Sequence, residues 1–291
     1  MSEEMAETSR MNEWMDERRF GKYRAFVIDN EDPEKRGRLR LYIPSVLGDA
    51  ETGWALPCFP FGGGKSYGWF AVPEKEAQVW AEFEEGDITR PIWTGVFWQN
   101  EEDVPEEAAK TPPTTRILQT PSGHVMQFDD EEDEESFTLL HPRGAQLQID
   151  KEGSMSLSDA ADSSVLLDAE GKKIIIEDAN GNQFIMDDSG IYVEDANGNK
   201  IEMAASGTTV QDANGNKIEM AASGVTVKGQ QVVIQGTQVM LAGQGGEPII
   251  KGMSFMTFFN THTHPSAPPG PPSPPTVPMT PAQLSTKVTT S

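Results

Sequence analysis

Residues 178–194 read DANGNQFIMDDSGIYVE, residues 195–211 DANGNKIEMAASGTTVQ and residues 212–228 DANGNKIEMAASGVTVK, three copies of a 17-residue unit. In each unit an Asn-Gly turn precedes one short alternating segment and a Ser-Gly turn precedes another, so the unit makes two strands of about six residues. The apolar residues fall at i and i+2: Phe184 with Met186, Ile191 with Val193, Ile201 with Met203, Val210, Ile218 with Met220, and Val225 with Val227. A period of two puts all of them on one side of a sheet. Upstream, DKEGSMSLS (150–158) and DAEGKKIIIE (168–177) keep the D-x-x-G start, and downstream the repeat tightens to glycines at 229, 236 and 243. Residues 117–259 therefore read as one stack of short strands.

Such a stack cannot bury its own apolar row, because nothing stands opposite to pack against. Three identical chains solve this if each supplies one side of a triangular prism, with the apolar positions meeting inside and no sheet edge left open. The expected architecture is an intertwined triple-stranded β-helix, a homotrimer. About 17 strands at the inter-strand spacing make a shaft roughly 80 Å long.

The rest of the chain is also all-β. Residues 20–98 contain five short strand candidates: Tyr23 to Ile28, Arg38 to Ile43, Trp54 to Phe59, Gln78 to Phe83 and Pro91 to Phe97. Five strands in under 80 residues, separated by Gly-, Pro- and Asp-rich turns, predict a small closed barrel. Residues 1–19 are a polar, Met-rich arm with a short helix expected around Met11 to Arg18, and residues 99–116 are an acidic, then Pro-rich linker. Residues 260–291 hold Thr261-His262-Thr263-His264 followed by a proline-rich tail that cannot pair in a sheet.

Composition narrows the functions. The formal net charge of −23 divides as −6 over residues 1–98, −13 over 99–168 and −4 over 169–291. Such a chain repels nucleic acid backbones and anionic membrane faces. No apolar stretch approaches the roughly 18 residues of a spanning helix, the start is not a secretory signal, and assembly in the cytoplasm is expected. The single cysteine, Cys58, excludes an intrachain disulfide framework.

In an extended segment His262 and His264 point the same way, so three chains would present six imidazoles to the threefold axis. Six nitrogen donors suit an octahedral transition metal such as iron better than tetrahedral zinc, although they do not choose among iron, nickel and cobalt. The alternative is two solvent-facing histidines in a Thr-rich coil. The other candidates fall away. D-A-N-G-N lacks the bidentate Glu of a calcium loop, since the twelfth position of each unit is Ser189, Ser206 or Ser223. Asp129 to Glu135 reads as a solvated hairpin tip, and Gly62-Gly63-Gly64-Lys65-Ser66 lacks phosphate-loop spacing. His124 and His141 have no nucleophile partner, and the acidic totals oppose a nucleic-acid role for Arg36, Arg38 and Arg40. No catalytic constellation remains, and the expectation is a protein that is not an enzyme.

Gly21-Lys22-Tyr23-Arg24, Val27 to Asp32, Arg36 to Arg40, Trp54 to Cys58 and Arg90 to Gly95 resemble the N-terminal OB-fold (oligosaccharide/oligonucleotide-binding) barrel of baseplate assembly protein V and related central spike proteins of contractile phage tails. Pro121-Ser122-Gly123-His124 through the 17-residue repeats resembles the spike β-helix, and His262-x-His264 looks like the iron-binding tip motif. The resemblance implies a trimeric spike that punctures the target cell envelope from a virion or injection-particle baseplate. It also implies a barrel docked on a hub protein and one iron ion per trimer held by His262 and His264. The tail after His264 is similar to that of spikes capped by a separate PAAR-type tip protein, which would take the metal's place at the point. A linker stands where the T-even phage spike carries a lysozyme domain, so cell-wall hydrolysis is not carried over. Type VI secretion proteins share barrel and β-helix but usually add a large hub domain in front. The rival from another class is a trimeric β-helical adhesin or fibre that binds surface glycans.

Overall fold

The computed structural model describes residues 3–237, 250, 252–263, 270–271, 273–275 and 277–283. The chain divides into two units, Met1–Thr226 and Val227–Ser291. In the first, helix α1 (Glu3–Asp16) precedes β1 (Tyr23–Asp29), β2 (Arg40–Tyr42), the single turn α2 (Pro44–Leu47), β3 (Leu56–Pro57), β4 (Gln78–Phe83) and β5 (Pro91–Val96). The helix is longer than expected and begins well before Met11.

These five strands pair in the order β2-β1-β4-β5-β3. The two ends of that order meet, because Leu39 and Ala55 exchange both backbone hydrogen bonds and the Thr52 amide donates to the Leu41 carbonyl. The sheet thus closes into the expected barrel. Alternation fills it: Val79, Ala81 and Phe83 point inward from β4 while Gln78, Trp80 and Glu82 stay partly exposed. Ala25, Val27, Leu39, Leu41, Ile43, Ala55 and Trp93 complete the core.

One buried carboxylate organises the β1–β2 loop. Asp32 accepts from the backbone amides of Glu34, Arg36 and Arg38, and from Arg38 Nε at 3.1 Å and Nη2 at 2.7 Å. The Arg38 hydrogen bond holds its carboxyl far below the usual carboxylate range. Asp32→Ala is expected to leave those donors without their common acceptor and to lower the barrel's Tm, while exposed Glu31→Ala leaves it unchanged; differential scanning calorimetry distinguishes the two.

Residues 101–103 and 106–108 form short 3-10 turns in the linker. A second sheet starts at Thr115, two residues before the expected start of the shaft. It contains β6 (Thr115–Gln119), β7 (Val125–Asp129), β8 (Ser136–Leu140), β9 (Gln146–Ile149), β10 (Met155–Ser158), β11 (Ser164–Asp168), β12 (Lys173–Glu177), β13 (Gln183–Asp187), β14 (Gly190–Glu194), β15 (Lys200–Ala204), β16 (Gly207–Gln211), β17 (Lys217–Ala221) and β18 (Gly224–Lys228). Each strand pairs with its neighbours in sequence, giving one antiparallel meander of 13 strands. At about 4.7 Å per step this ribbon is about 56 Å long. The 17-residue period is now explicit: a five-residue turn, a five-residue strand, a two-residue turn and a second five-residue strand.

The expectation of strands from Lys228 to residue 259 is corrected at residues 229–237 and 252–259, while residues 238–249, with the expected turn at Gly243, lie outside the described residues. No further strand occurs among the described residues, and Gly252–Thr261 is helix α3. The run GMSFMTFFNT explains the change, since Met253, Met256 and Phe259, with Phe255 and Phe258, recur at helical three- and four-residue spacings rather than alternating.

Candidate functional site

The register of the long sheet sorts its side chains into two unlike faces. Leu118, Met126, Leu139, Leu147, Leu157, Val165, Ile176, Phe184, Val193, Ile201, Val210 and Ile218 stand opposite one another across twelve successive strands, β6 to β17. A second column on the same face, two residues away, runs from Arg116 and Phe128 to Met203, Thr208 and Met220, and is apolar except for Arg116 and Thr208. The central column of the opposite face is polar at Gln127, Thr138, Gln148, Ser156, Glu202, Thr209 and Glu219. It carries an apolar island where Leu166, Ile175, Ile185 and Tyr192 meet.

In the single chain the apolar face is open: Leu157 is 53% exposed and Ile176 44%. Cross-strand pairs stabilise a sheet by tenths to about 1 kcal/mol each, but two apolar columns over twelve strands far exceed the apolar patch a soluble monomer leaves in water. The residues that the repeats placed on one side, Phe184 to Met220, do lie there. In the upstream run Ile174-Ile175-Ile176 the middle residue faces the other way.

One turn template repeats along one edge of the sheet. Residues 120–124, 141–145, 159–163, 178–182, 195–199 and 212–216 are five-residue turns in which the first amide donates to the fifth carbonyl. The first side chain accepts from backbone amides within the turn: Asp178 Oδ1 takes those of Asn180 and Asn182, each at 2.9 Å. Asp195 and Asp212 do the same, Thr120 plays the part through its hydroxyl, and His141 through Nδ1, which accepts from the Arg143 amide at 3.2 Å. The fourth residue needs positive φ, supplied by glycine in five turns and by Asp162 in the sixth. The fifth side chain reaches the next turn, since the Ala196 amide donates to Asn182 Oδ1 at 3.0 Å and the Ala213 amide to Asn199 Oδ1 at 3.2 Å.

Hydrogen bonds from the Asn182 side chain and backbone amide lower the Asp178 carboxyl to about 2; Asn199 and Asn216 lower Asp195 and Asp212 in the same way. A depressed folded-state pKa contributes stability above the unfolded value near 4 and loses it as pH falls through the folded value. Thermal unfolding followed between pH 7 and pH 2 should therefore show the sheet weakening from about pH 4 down to about pH 2. Replacing Asp178, Asp195 and Asp212 together by Asn, which keeps an acceptor oxygen, should flatten that dependence.

His124 and His141 come together on adjacent turns, with ring centroids 5.0 Å apart and nearly perpendicular. The sequence reading missed that pair because it did not see that T-P-x-G-x and H-P-x-G-x are variants of D-x-x-G-x. His262 follows directly on α3 rather than on a strand, so the alternation expected to align it with its neighbour does not lead into it. Its Nδ1 meets the Phe259 carbonyl, and its ring packs against Phe259. His264 lies outside the described residues. Asp129, placed in a solvated tip, is instead buried and holds Lys110 Nζ at 2.6 Å. Among the described residues no three His, Cys, Asp or Glu side chains of one chain converge as metal ligands.

A closed five-stranded barrel followed by a long meander with one apolar face defines a β-rich protein of two architectures. Residues 23–98, about a quarter of the chain, match the family model described as the type VI secretion system/phage-baseplate injector OB domain, so the barrel is an OB domain of that kind. No curated protein matches the chain. Among solved structures, the TCP10 domain of Danio rerio CPAP in complex with a STIL peptide is similar at 11% identity and a TM-score of 0.29, over 38% of this chain and 62% of that one. The chain thus spans less than two-thirds of that relative. The TCP10c domain of Drosophila melanogaster Sas-4 is similar at 16% identity and a TM-score of 0.27, over 40% and 93%. TM-scores this low carry no argument about fold or function.

Proposed function

We propose that the chain is the central spike of a contractile tail or injection-system baseplate, a homotrimer that punctures the target envelope by force. The observation that carries this reading is the double apolar column on one face of a 13-stranded ribbon that follows an injector OB domain. Three such ribbons, apolar faces inward, make a dry prism in which every strand but the first and the last is paired on both sides. A shaft of this kind unfolds only with loss of the whole trimer, as a rod driven by sheath contraction requires. The barrel docks on a hub protein, and the assembly sits at the baseplate axis of a virion or related particle.

The tip follows the same reading. Metal-binding imidazoles typically donate their second ring N–H to a carbonyl or carboxylate, and the Nδ1 of His262 faces the Phe259 carbonyl. His262, with His264 of the same chain, would supply one-third of a six-imidazole set for one iron per trimer. Such an ion would tie the three chains together at the point; a PAAR-type cap is the alternative closure. Native mass spectrometry of a trimer purified without chelators should show one bound metal, lost when His262 and His264 are both changed to Ala.

Electron microscopy of particles from the producing strain tests the role itself. The account expects three copies of the chain as a threefold density on the baseplate axis, pointing away from the tube. Peripheral copies that bind glycan would replace the spike by an adhesive fibre.

A further inference from the structure

The barrel carries a surface that its own fold leaves unused. Residues 53–73 contain no Asp or Glu, and their single charged side chain is Lys65, in a chain of net charge −23. Within this stretch Phe61, Tyr67, Trp69 and Phe70 are 65%, 61%, 49% and 66% exposed. The loop that bears them is firmly built. The Trp69 amide donates to the Phe61 carbonyl at 2.9 Å, and Gly62 and Gly68 cross so closely that a Cβ on Gly68 would lie 2.9 Å from Gly62 Cα. Phe70 packs on Phe59 and Phe59 on buried Trp93, whose indole N–H donates to the Gly37 carbonyl at 3.0 Å. A Cβ on Gly37 would lie 3.1 Å from the Phe70 ring, so the turn bearing exposed Lys35 and Arg36 adjoins the aromatic loop.

We propose that this loop and turn are the face by which the barrel docks on its baseplate partner, a protein surface with an apolar centre and a carboxylate rim. The proposal rests on the spike reading above and names the part of the barrel that makes the attachment. Exposed aromatic side chains on a preorganised support are what binding hot spots are made of. Lys35 and Lys65, exposed and without an ion-pair partner among the described residues, set the charge the partner must answer. A glycan site would need amide, carboxylate or guanidinium groups free beside the stacking rings; residues 53–73 hold none, and the Arg36 guanidinium of the adjoining turn is paired with Glu34 at 3.0 Å. An anionic membrane is disfavoured by the net charge of −6 on residues 1–98.

The test uses the full-length chain in its producing strain. Two double variants, F61S with Y67S and K35E with K65E, are compared with wild type for native mass and for copies per purified particle. Both are expected to keep the wild-type oligomeric mass and to fall at least tenfold in particle occupancy. In parallel, hydroxyl-radical oxidation of wild-type Phe61, Tyr67 and Trp69 should drop at least tenfold between the isolated protein and the particle, a readout that needs no variant to fold. Wild-type occupancy for both variants, or unchanged oxidation, overturns the docking face and leaves the spike reading standing. Absence of the wild-type chain from particles overturns the spike reading first. Binding of the isolated protein to phosphatidylglycerol vesicles or to cell-wall glycan, abolished by F61S with Y67S, would reassign the patch to a membrane or a sugar.

Discussion

Phe184→Glu should convert the full-length protein from a trimer of about 96 kDa to a monomer of 31.9 kDa in native mass measurements. Phe184 stands in the middle of the twelve-strand apolar column, between Ile176 and Val193. In the proposed prism, substitution would bring three unpaired carboxylates into a dry interior, each costing several kcal/mol, with no cation to answer them. The single chain by itself would register little, because the same face is open to water there. The control is Tyr192→Glu, on the strand paired with β13 but on the opposite face. It should leave the trimer intact. Loss of the trimer in both variants, or in neither, would contradict the assignment of faces.

Gly207→Ala, like Gly190→Ala at the equivalent position one repeat earlier, should be among the most damaging alanine substitutions in the repeats. A Cβ on Gly207 would lie 2.0 Å from the Met220 carbonyl oxygen on the neighbouring strand, in a backbone conformation at φ +143° that alanine also resists. The obstacle is backbone, so no rotamer relieves it, and β16 and β17 must part. The expected loss is about 3 kcal/mol or more, at the upper end of single-substitution effects. Gly198→Ala, also at positive φ but with its nearest neighbour the Ala213 methyl group 3.8 Å away, should cost only about 1 to 2 kcal/mol. Protease resistance and guanidinium unfolding of the two variants side by side measure the difference. Equal stability would mean that the strands of the repeat do not pair in this register.

The repeat was legible because its two signals agree. Alternation at Phe184-Ile185-Met186 or Ile201-Glu202-Met203 specifies a strand and its inward face, and Asn-Gly or Ser-Gly at fixed intervals specifies where the chain reverses. Those local rules also gave the barrel, where β4 and β5 were read nearly to the residue. They failed where spacing changes character without a break in composition. The Phe- and Met-rich run before His262 is as apolar as a strand, but its three- and four-residue spacing makes it the helix α3. Asp129 illustrates another limit: seven acidic residues in a row look alike in sequence, and only the position of Lys110 distinguishes the buried one. The pairing of His124 with His141 depends on two turns that start 21 residues apart, at Thr120 and His141, adopting one template from different residues, which no local pattern announces. The aromatic loop of the barrel was visible only as a glycine-rich segment, since exposure of Phe61, Tyr67 and Trp69 is a property of the closed barrel.

The native mass of the unmodified 291-residue chain decides whether three ribbons assemble. A single species of about 96 kDa, three chains of 31.9 kDa, should persist on dilution to nanomolar concentration. A species of 31.9 kDa under the same conditions would contradict the trimer, because the apolar face of the sheet would then stand in water with nothing to cover it.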